Sequence, residues 1–206
     1  MTIQNSVVYQ DADQEVAEAA RQFNLLENTL LKNRTLTLFG EINQDVARRT
    51  AQQLLALSFD SEEPITLYIG SPGGHVESGD TIYDMIRYIK PRVRIVGTGW
   101  VGSIATHIYL SVPREDRYSL PNTRYLIHQP AGGAGGDASD IEIQAKEILK
   151  TRERINKIIA EATGQPLERI QEDTDRDFWM SPEESLEYGL VGRIIHSATE
   201  LSPPGA

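Results

Sequence analysis

Short apolar segments typical of strands alternate with amphipathic segments typical of helices along most of this chain, and this alternation constrains the fold more than any other feature. Strands are predicted at residues 35–39, 65–69, 93–97 and 124–127. Helices are predicted after candidate caps at Asp13, Asn43 and Ser181, after Gly74, over residues 103–110, and over about 138–162. The alternation predicts a single α/β domain with a largely parallel sheet.

The composition argues against several classes of function. The chain of 206 residues has a formal net charge of −10 and no basic cluster, so we do not expect a general nucleic-acid binder. It contains no cysteine, which excludes disulfides, thiolate metal sites and cysteine nucleophiles. No apolar run approaches the roughly 20 residues that span a bilayer, and the first residues lack a secretory-signal pattern. We therefore expect a cytoplasmic protein without a membrane partner.

Two glycine-containing segments follow predicted strands, at residues 71–74 and 99–103. Loops at the carboxyl ends of parallel strands are where α/β proteins place their sites, and glycines there expose N–H groups to a ligand oxygen. Neither segment carries the lysine of a phosphate-binding loop. Ser103 ends the second segment and opens an apolar, helical stretch, so it is a candidate nucleophile. The alternative is an ordinary N-cap serine.

A serine nucleophile needs a base, and His128 is the best-placed histidine because it stands at the end of the predicted strand 124–127. The other three histidines are His75, His107 and His196. No pair has the i, i+4 spacing of a helical zinc site, so we expect no metal. Spacing alone leaves the orienting acid open among the carboxylates of residues 172–177. These residue types in this order indicate a serine hydrolase.

Several motifs, in the same order and at similar spacing, resemble ClpP, the proteolytic subunit of the ATP-dependent Clp protease. The segments that carry the resemblance are residues 68–74, 120–122, 127–130, 140–143, 173–177 and 187–191. The match runs from about Phe23 to Ile195. It implies a ClpP/crotonase-like α/β fold with a protruding strand–helix handle at about 131–163. The domains it implies are an N-terminal axial segment at 1–22, a protease domain at 23–196 and a flexible tail at 197–206.

The same resemblance implies an active site. Ser103, His128 and Asp177 would form the catalytic triad of a serine endopeptidase. The backbone N–H groups of Gly74 and Ile104 would form its oxyanion hole. This chemistry needs no metal and no organic cofactor, and ATP would be used by a partner unfoldase rather than by this chain.

The resemblance also implies a homo-oligomer of two stacked seven-membered rings, which encloses the active sites and degrades unfolded proteins. The handle would join the two rings, and Asp175 and Arg176 would contact the opposite ring. An AAA+ unfoldase of the ClpX, ClpA or ClpC type would dock on a set of apolar residues. These are Tyr68, Tyr88, Tyr118 and Leu120.

Several features depart from the pattern usual in this family, among them Thr66 and Thr98 in the expected docking pocket and a longer, more acidic region before Phe23. Trp100 and Val101 precede the nucleophile, and His75 follows Gly74 at a position that is usually small and apolar. These departures motivate an alternative, a specialised ClpP paralogue that is weakly active alone and works in a mixed assembly with another ClpP. A more distant alternative is an acyl-CoA enzyme of the crotonase type, because that superfamily resembles ClpP in fold.

Overall fold

The computed structural model describes residues 25–133 and 135–201. The predicted helix after Asp13, the axial segment at 1–22 and the last five residues lie outside these ranges. The chain divides into two compact units, Met1–Thr35 and Leu36–Ala206. In the first unit, helix α1 is described over residues 25–32. The second unit carries most of the sheet and the candidate site.

From Thr35 onward the chain alternates strands and helices. The strands are β1 (Thr35–Phe39), β2 (Ile65–Ser71), β3 (Val93–Gly102), β4 (Arg117–Ser119), β5 (Arg124–Ile127), β6 (Phe178–Met180) and β7 (Arg193–Ile194). The helices are α2 (Gln44–Asp60), α3 (Val76–Tyr88), α4 (Ile104–Tyr109), α5 (Ala138–Thr163), α6 (Leu167–Asp173) and α7 (Pro182–Tyr188). The α/β prediction is confirmed.

The described strands form one sheet in the order β1-β2-β3-β4-β7, and β5 and β6 extend from β3. β2, β4 and β5 run parallel to β3, and β7 runs parallel to β4. β6 runs antiparallel to its neighbour, β5. The carboxyl ends of β2, β3 and β5 therefore meet in one region, where α/β folds place their sites.

Strand β3 is longer than the sequence predicts. The expected strand at 93–97, followed by a glycine loop, in fact continues through Gly102. Gly99 has a φ of +63°, and a Cβ on Gly97 would meet the Tyr125 hydroxyl, so glycines are needed where the strand bends. The first half of β3 pairs with β4 and the second half with β5. The second glycine segment is therefore the end of a strand and not a loop.

The helix ends are formed by the residues that the sequence marks as caps. Asn43 Oδ1 accepts a hydrogen bond of 2.9 Å from the Val46 N–H at the start of α2. Ser181 and Glu184 form a reciprocal capping box at the start of α7. Gly164 ends α5 with a left-handed φ of +76°. These local predictions are confirmed.

The long helix α5 has two unlike halves, although its apolar residues recur at helical spacing along most of its length. Ile155 and Ile159, near its end, are buried in the core. Ile141, Ile143 and Leu149, in its first half, are 43%, 59% and 61% exposed. The first half therefore offers apolar side chains to its surroundings rather than to the core. Within the described residues, no helix is both long and apolar enough to cross a membrane.

Candidate active site

Ser103 lies between the last residue of β3 and the first residue of α4, in a strained backbone conformation. Its φ of +55° falls in the left-handed region, which residues with a side chain rarely adopt. Its N–H donates to the Leu126 carbonyl of β5 at 2.9 Å. Gly73 packs so closely that a Cβ there would lie 2.7 Å from the Ser103 Cβ. The side chain makes no capping bond to α4, so the turn presents the hydroxyl at the strand end.

The Ser103 hydroxyl belongs to a chain of three hydrogen-bonded side chains. His128 Nε2 lies 2.8 Å from Ser103 Oγ, and His128 Nδ1 lies 2.9 Å from Asp177 Oδ1. His128 directly follows β5 and Asp177 directly precedes β6. The antiparallel pairing of Ile127 with Phe178 brings the two together. Spacing alone leaves the acid open among residues 172–177, and the structure places Asp177 next to the His128 ring.

Two backbone N–H groups next to the serine have no hydrogen-bond acceptor within the described part of the chain. Ile104 is the first residue of α4, so its N–H is one of the donors that a helix leaves unsatisfied. Gly74 is held by a parallel bridge to Ile42, through hydrogen bonds of 2.8 Å made by the two neighbours of Gly74. Only glycine fits there, because φ is +148° and a Cβ would meet the Ile42 carbonyl. Both donors predicted for the oxyanion hole are therefore unused.

A small pocket lies beside the serine. Its polar lining comes from Ser103, His107 and His128. The remaining lining residues are Val76, Ile104, Ile127, Pro130, Ile155 and Ile159. The buried half of α5 thus forms one wall. The lining of this small pocket next to Ser103 is mostly apolar.

The histidines outside the hydrogen-bonded chain have different surroundings. His75 is partly exposed; its Nδ1 lies 2.9 Å from Ser78 Oγ and its Nε2 lies 3.2 Å from a Glu77 carboxylate oxygen. His107 is buried and lines the pocket, a role that its position one helical turn after the serine could have indicated. His196 is exposed and outside the pocket lining. Among the described residues, no cluster of three or more histidines and carboxylates could hold a metal ion.

Asp175 and Arg176, the predicted inter-ring residues, stand next to Asp177 in the chain. Gln129 Nε2 donates to the Asp175 carbonyl at 2.8 Å. Arg152 of α5 lies 3.5 Å from the Asp175 carboxylate. The Arg176 side chain is 93% exposed. Asp175 therefore connects the loop of the acid to α5, while Arg176 extends into solvent.

Three of the four residues predicted for unfoldase docking lie together. Tyr68, Tyr118 and Leu120 pack in one apolar cluster around the buried Val96. Tyr88, at the end of α3, is 77% exposed and is not a member of this cluster. The structure thus gathers one apolar cluster from β2, β4 and the residue after β4, in which Tyr118 is buried and Tyr68 and Leu120 are partly buried.

Trp100, which departs from the family pattern, does not line the pocket beside the serine. Its ring centroid lies 5.7 Å from that of Trp179, and the Arg124 guanidinium lies 4.3 Å above the Trp179 ring. A Cβ on Gly102 would lie 2.5 Å from the Trp100 indole nitrogen. The tryptophan therefore covers the end of β3, directly before the serine.

The fold and the site define a class of protein: an α/β hydrolytic enzyme with a strained serine at a strand end, hydrogen-bonded to a histidine and an aspartate. Residues 17–198 match the family model described as Clp protease. The chain belongs to the Clp protease family, and it is a peptidase.

Proteins with related sequences carry matching names. The chain is 54% identical over 192 residues to the ATP-dependent Clp protease proteolytic subunit 3 of Rhizobium etli, covering 92% of this chain and 99% of the relative. It is 50% identical over 175 residues to subunit 2 of Pseudomonas aeruginosa, covering 85% and 87%. A solved structure of a ClpP1 mutant from Listeria monocytogenes superposes with a TM-score of 0.81 at 55% identity, covering 86% of this chain and 99% of that one.

Proposed function

We propose that this chain is a proteolytic subunit of an ATP-dependent Clp protease, which cleaves peptide bonds of unfolded proteins as a serine endopeptidase. The observation that carries the proposal is the hydrogen-bonded chain Ser103–His128–Asp177, with distances of 2.8 and 2.9 Å. The names of the relatives from Rhizobium etli and Pseudomonas aeruginosa support the same activity.

In this mechanism, Ser103 Oγ attacks the carbonyl carbon of the scissile peptide bond while His128 Nε2 takes its proton. His128 then protonates the leaving amine, and an acyl-serine ester remains. Water, deprotonated by His128, hydrolyses the ester and releases Ser103. Asp177, 2.9 Å from Nδ1, keeps the imidazole in the tautomer that accepts a proton at Nε2 and stabilises its charged form.

The oxyanion of each tetrahedral intermediate would be stabilised by the two unused backbone donors. The Ile104 N–H opens a helix, and the Gly74 N–H is fixed by the bridge to Ile42. Both are held by backbone geometry before substrate binds, so they need no reorganisation during the reaction. Loss of one such donor typically costs about 2.7–4 kcal/mol in the activation free energy.

The proposed assembly is two stacked seven-membered rings that enclose the active sites in the cytoplasm. The exposed apolar side chains on the first half of α5 support a contact between rings, since unpartnered apolar surface of this kind marks interfaces. The exposed Arg176 supports a charged contact at the same boundary. The chamber would admit unfolded chains and exclude folded ones.

The proposed partner is an AAA+ unfoldase of the ClpX, ClpA or ClpC type, which would hydrolyse ATP and feed unfolded protein into the chamber. The apolar cluster of Tyr68, Tyr118 and Leu120 supports this docking, and we include the exposed Tyr88 in the same proposal. The proposed chemistry uses side chains and backbone donors of this chain without a cofactor.

The test of the proposed function is Ser103→Ala, measured with a fluorogenic peptide and with a fluorophosphonate probe that labels activated serines. We expect loss of peptide hydrolysis and of labelling, with the assembly unchanged by native mass measurement. Ser197→Ala is the control, because its hydroxyl contacts only Thr199 among the described residues. Retained hydrolysis in Ser103→Ala would overturn the mechanism.

A second candidate is the specialised paralogue that works in a mixed assembly. The numbered subunit names of the relatives favour it, because they indicate several such chains in one organism. The test measures native mass and peptidase rate of this chain alone and mixed with another ClpP of the same cell. Full activity alone, unchanged on mixing, would contradict this candidate. The crotonase-type alternative has no support in the family match over residues 17–198.

A further inference from the structure

The apolar cluster that we propose for unfoldase docking is already in contact with another side chain of the same protomer. This docking cluster consists of Tyr68, Val96, Tyr118, Leu120 and Ile195. Leu201, the last described residue of the chain, is partly buried against it. Tyr118 is only 7% exposed. A surface that receives a partner needs exposed apolar area, so the small exposure of this cluster calls for an explanation.

Leu201 belongs to a segment that is only weakly attached to the rest of the domain. It ends a short 3-10 helix, Ala198–Leu201, which follows strand β7. Because β7 pairs with β4 and the Ile195 N–H donates to the Ser119 carbonyl at 2.9 Å, the chain is fixed as far as Ile195. No residue of the 3-10 helix itself is buried. A segment with so few buried contacts opens at a small cost in free energy.

Glu200 ties the 3-10 helix to the residues before it. Its Oε1 accepts hydrogen bonds from the backbone N–H groups of His196 at 2.8 Å and Ser197 at 2.9 Å, and its Oε2 lies 3.6 Å from Arg193 of β7. The hydrogen bond from His196, that from Ser197 and the charge of Arg193 keep the pKa of Glu200 below its usual range. The two hydrogen bonds are exposed, so water can replace them when the helix moves away.

We propose that the 3-10 helix Ala198–Leu201 is a displaceable cover of the docking cluster, and that the unfoldase docks by removing Leu201 and placing an aliphatic side chain of its own in the same position. The protomer then has a covered and an open form, and only the open form binds the partner. The apparent Kd is the Kd of the open form divided by the open fraction. This inference rests on the proposed docking of an unfoldase on this cluster.

The alternative is that Leu201 is a permanent wall of the docking site, against which the partner packs. The two roles predict effects of opposite sign. Removal of a cover strengthens binding, whereas removal of a wall weakens it because apolar contact area is lost. Docking also makes residue 201 more accessible to solvent in the first case and less accessible in the second.

The first experiment measures the Kd between the assembly and a Clp unfoldase of the same cell, held as a ring by a slowly hydrolysed ATP analogue. Leu201→Ser removes the apolar contact, and we expect the Kd to fall about tenfold. Glu200→Ala removes the two exposed hydrogen bonds, and we expect a fall of about threefold. Ala198→Ser, an exposed position of the same helix, is the matched control and should leave the Kd unchanged. An unchanged or higher Kd in Leu201→Ser would overturn the cover.

The second experiment follows the position of residue 201 directly. The chain contains no cysteine, so Leu201→Cys introduces a single thiol per protomer. Its reaction with a maleimide is followed by the mass of this chain, with and without the unfoldase. Displacement of the cover predicts faster reaction in the complex. An equal or slower reaction would identify a wall and overturn the proposal, even if Leu201→Ser does not assemble.

Fluorophosphonate labelling of Ser103 is measured on the same preparations. Loss of labelling in the wild type would reject the proposed endopeptidase mechanism, while the Kd values still decide on the cover. Absence of unfoldase binding in the wild type and in Leu201→Ser alike would reject the docking site and the cover together. Normal labelling and normal wild-type binding, with no tighter binding by Leu201→Ser, would reject the cover alone.

Discussion

Helix α5 contacts the two sides of the active site through two arginines, and the two contacts differ in strength. On the nucleophile side, Arg154 forms two hydrogen bonds of 2.7 Å with Asp80, whose side chain is 21% exposed. On the acid side, Arg152 lies 3.5 Å from Asp175, whose side chain is 56% exposed. A bidentate, partly buried pair resists solvent screening, whereas a long, exposed pair contributes little.

The same contrast holds for the catalytic groups. Ser103 is locked by its bond to Leu126 and by the close packing of Gly73, whereas the Asp177 side chain is 63% exposed. The difference teaches that close backbone packing holds Ser103 in place, whereas the Asp177 side chain lies largely at the surface. We therefore expect substitutions near the acid to change the rate without changing stability, and substitutions near the nucleophile to change both.

The largest expected effect is that of Asp177→Asn. An amide does not hold His128 in the required tautomer, so kcat should fall about 10⁴-fold, which is typical for a triad acid. The free energy of unfolding should stay within about 0.5 kcal/mol of the wild type, because the side chain is largely exposed. Glu172→Gln is the matched control and should be silent in both assays. A rate loss below tenfold would contradict the role of Asp177.

The next effect is that of Gly74→Ala, on the nucleophile side. The added Cβ meets the Ile42 carbonyl, and φ is +148°, so the bridge must open and the Gly74 N–H must move. We expect kcat to fall about 100- to 1000-fold and the protein to lose stability as well. Gly135→Ala is the control, because a Cβ there meets nothing within 4 Å. A stable variant with normal kcat would contradict the proposed role of the Gly74 N–H in the oxyanion hole.

The third effect concerns acid stability. Because the pKa of Asp80 is lowered from 3.8 to about 2 in the folded chain, its ionised form stabilises the fold. This stabilisation, about 2 kcal/mol at most, is fully present above about pH 4 and is lost as the pH falls toward 2. Urea unfolding at several pH values should show this loss in the wild type and not in Asp80→Asn. Identical pH dependence of both proteins would contradict the ion pair.

The last prediction separates the two arginines directly, and its Arg152 part is the smallest effect of all. Arg152→Met removes an exposed contact and should lower the free energy of unfolding by less than about 1 kcal/mol. Arg154→Met removes two charge-assisted hydrogen bonds from a partly buried carboxylate and should cost about 1.5–3 kcal/mol. Equal losses in the two variants, measured by urea unfolding of the whole assembly, would remove the contrast between the two sides.

Much of the fold follows from local sequence. Asn43 and Ser181 cap their helices as predicted, and Gly164 ends α5, because these features depend only on the nearest residues. Strand β3 is the main error in the fold. Gly97 and Gly99 predict a break, but pairing with the neighbouring strands β4 and β5 continues the strand through Gly102, although Gly99 has a positive φ of +63°. Pairing between distant segments overrides local preference there.

The site was predictable in part. The strand-end positions of Ser103 and His128 could be derived from spacing, and the resemblance to ClpP supplied Asp177. Spacing could not select that acid, because the choice depends on the pairing of β6 with β5. Strand β6 has only three residues, too few to give a recognisable strand pattern in the sequence. The surroundings of His107 depend on Asp80, Tyr83 and Arg154, which come from two other helices. A contact among three helices leaves no periodic signal in the sequence.

The exposed first half of α5 also has a practical consequence. Ile141, Ile143 and Leu149 lie on one helix without a covering partner in the single protomer. Exposed apolar side chains of this kind drive non-specific association when their natural partner is missing. A protomer made in excess, or released by dilution, would therefore be prone to precipitation and to capture by chaperones. We therefore expect the chain to stay in solution only when the partner that covers these side chains is produced in a matching amount.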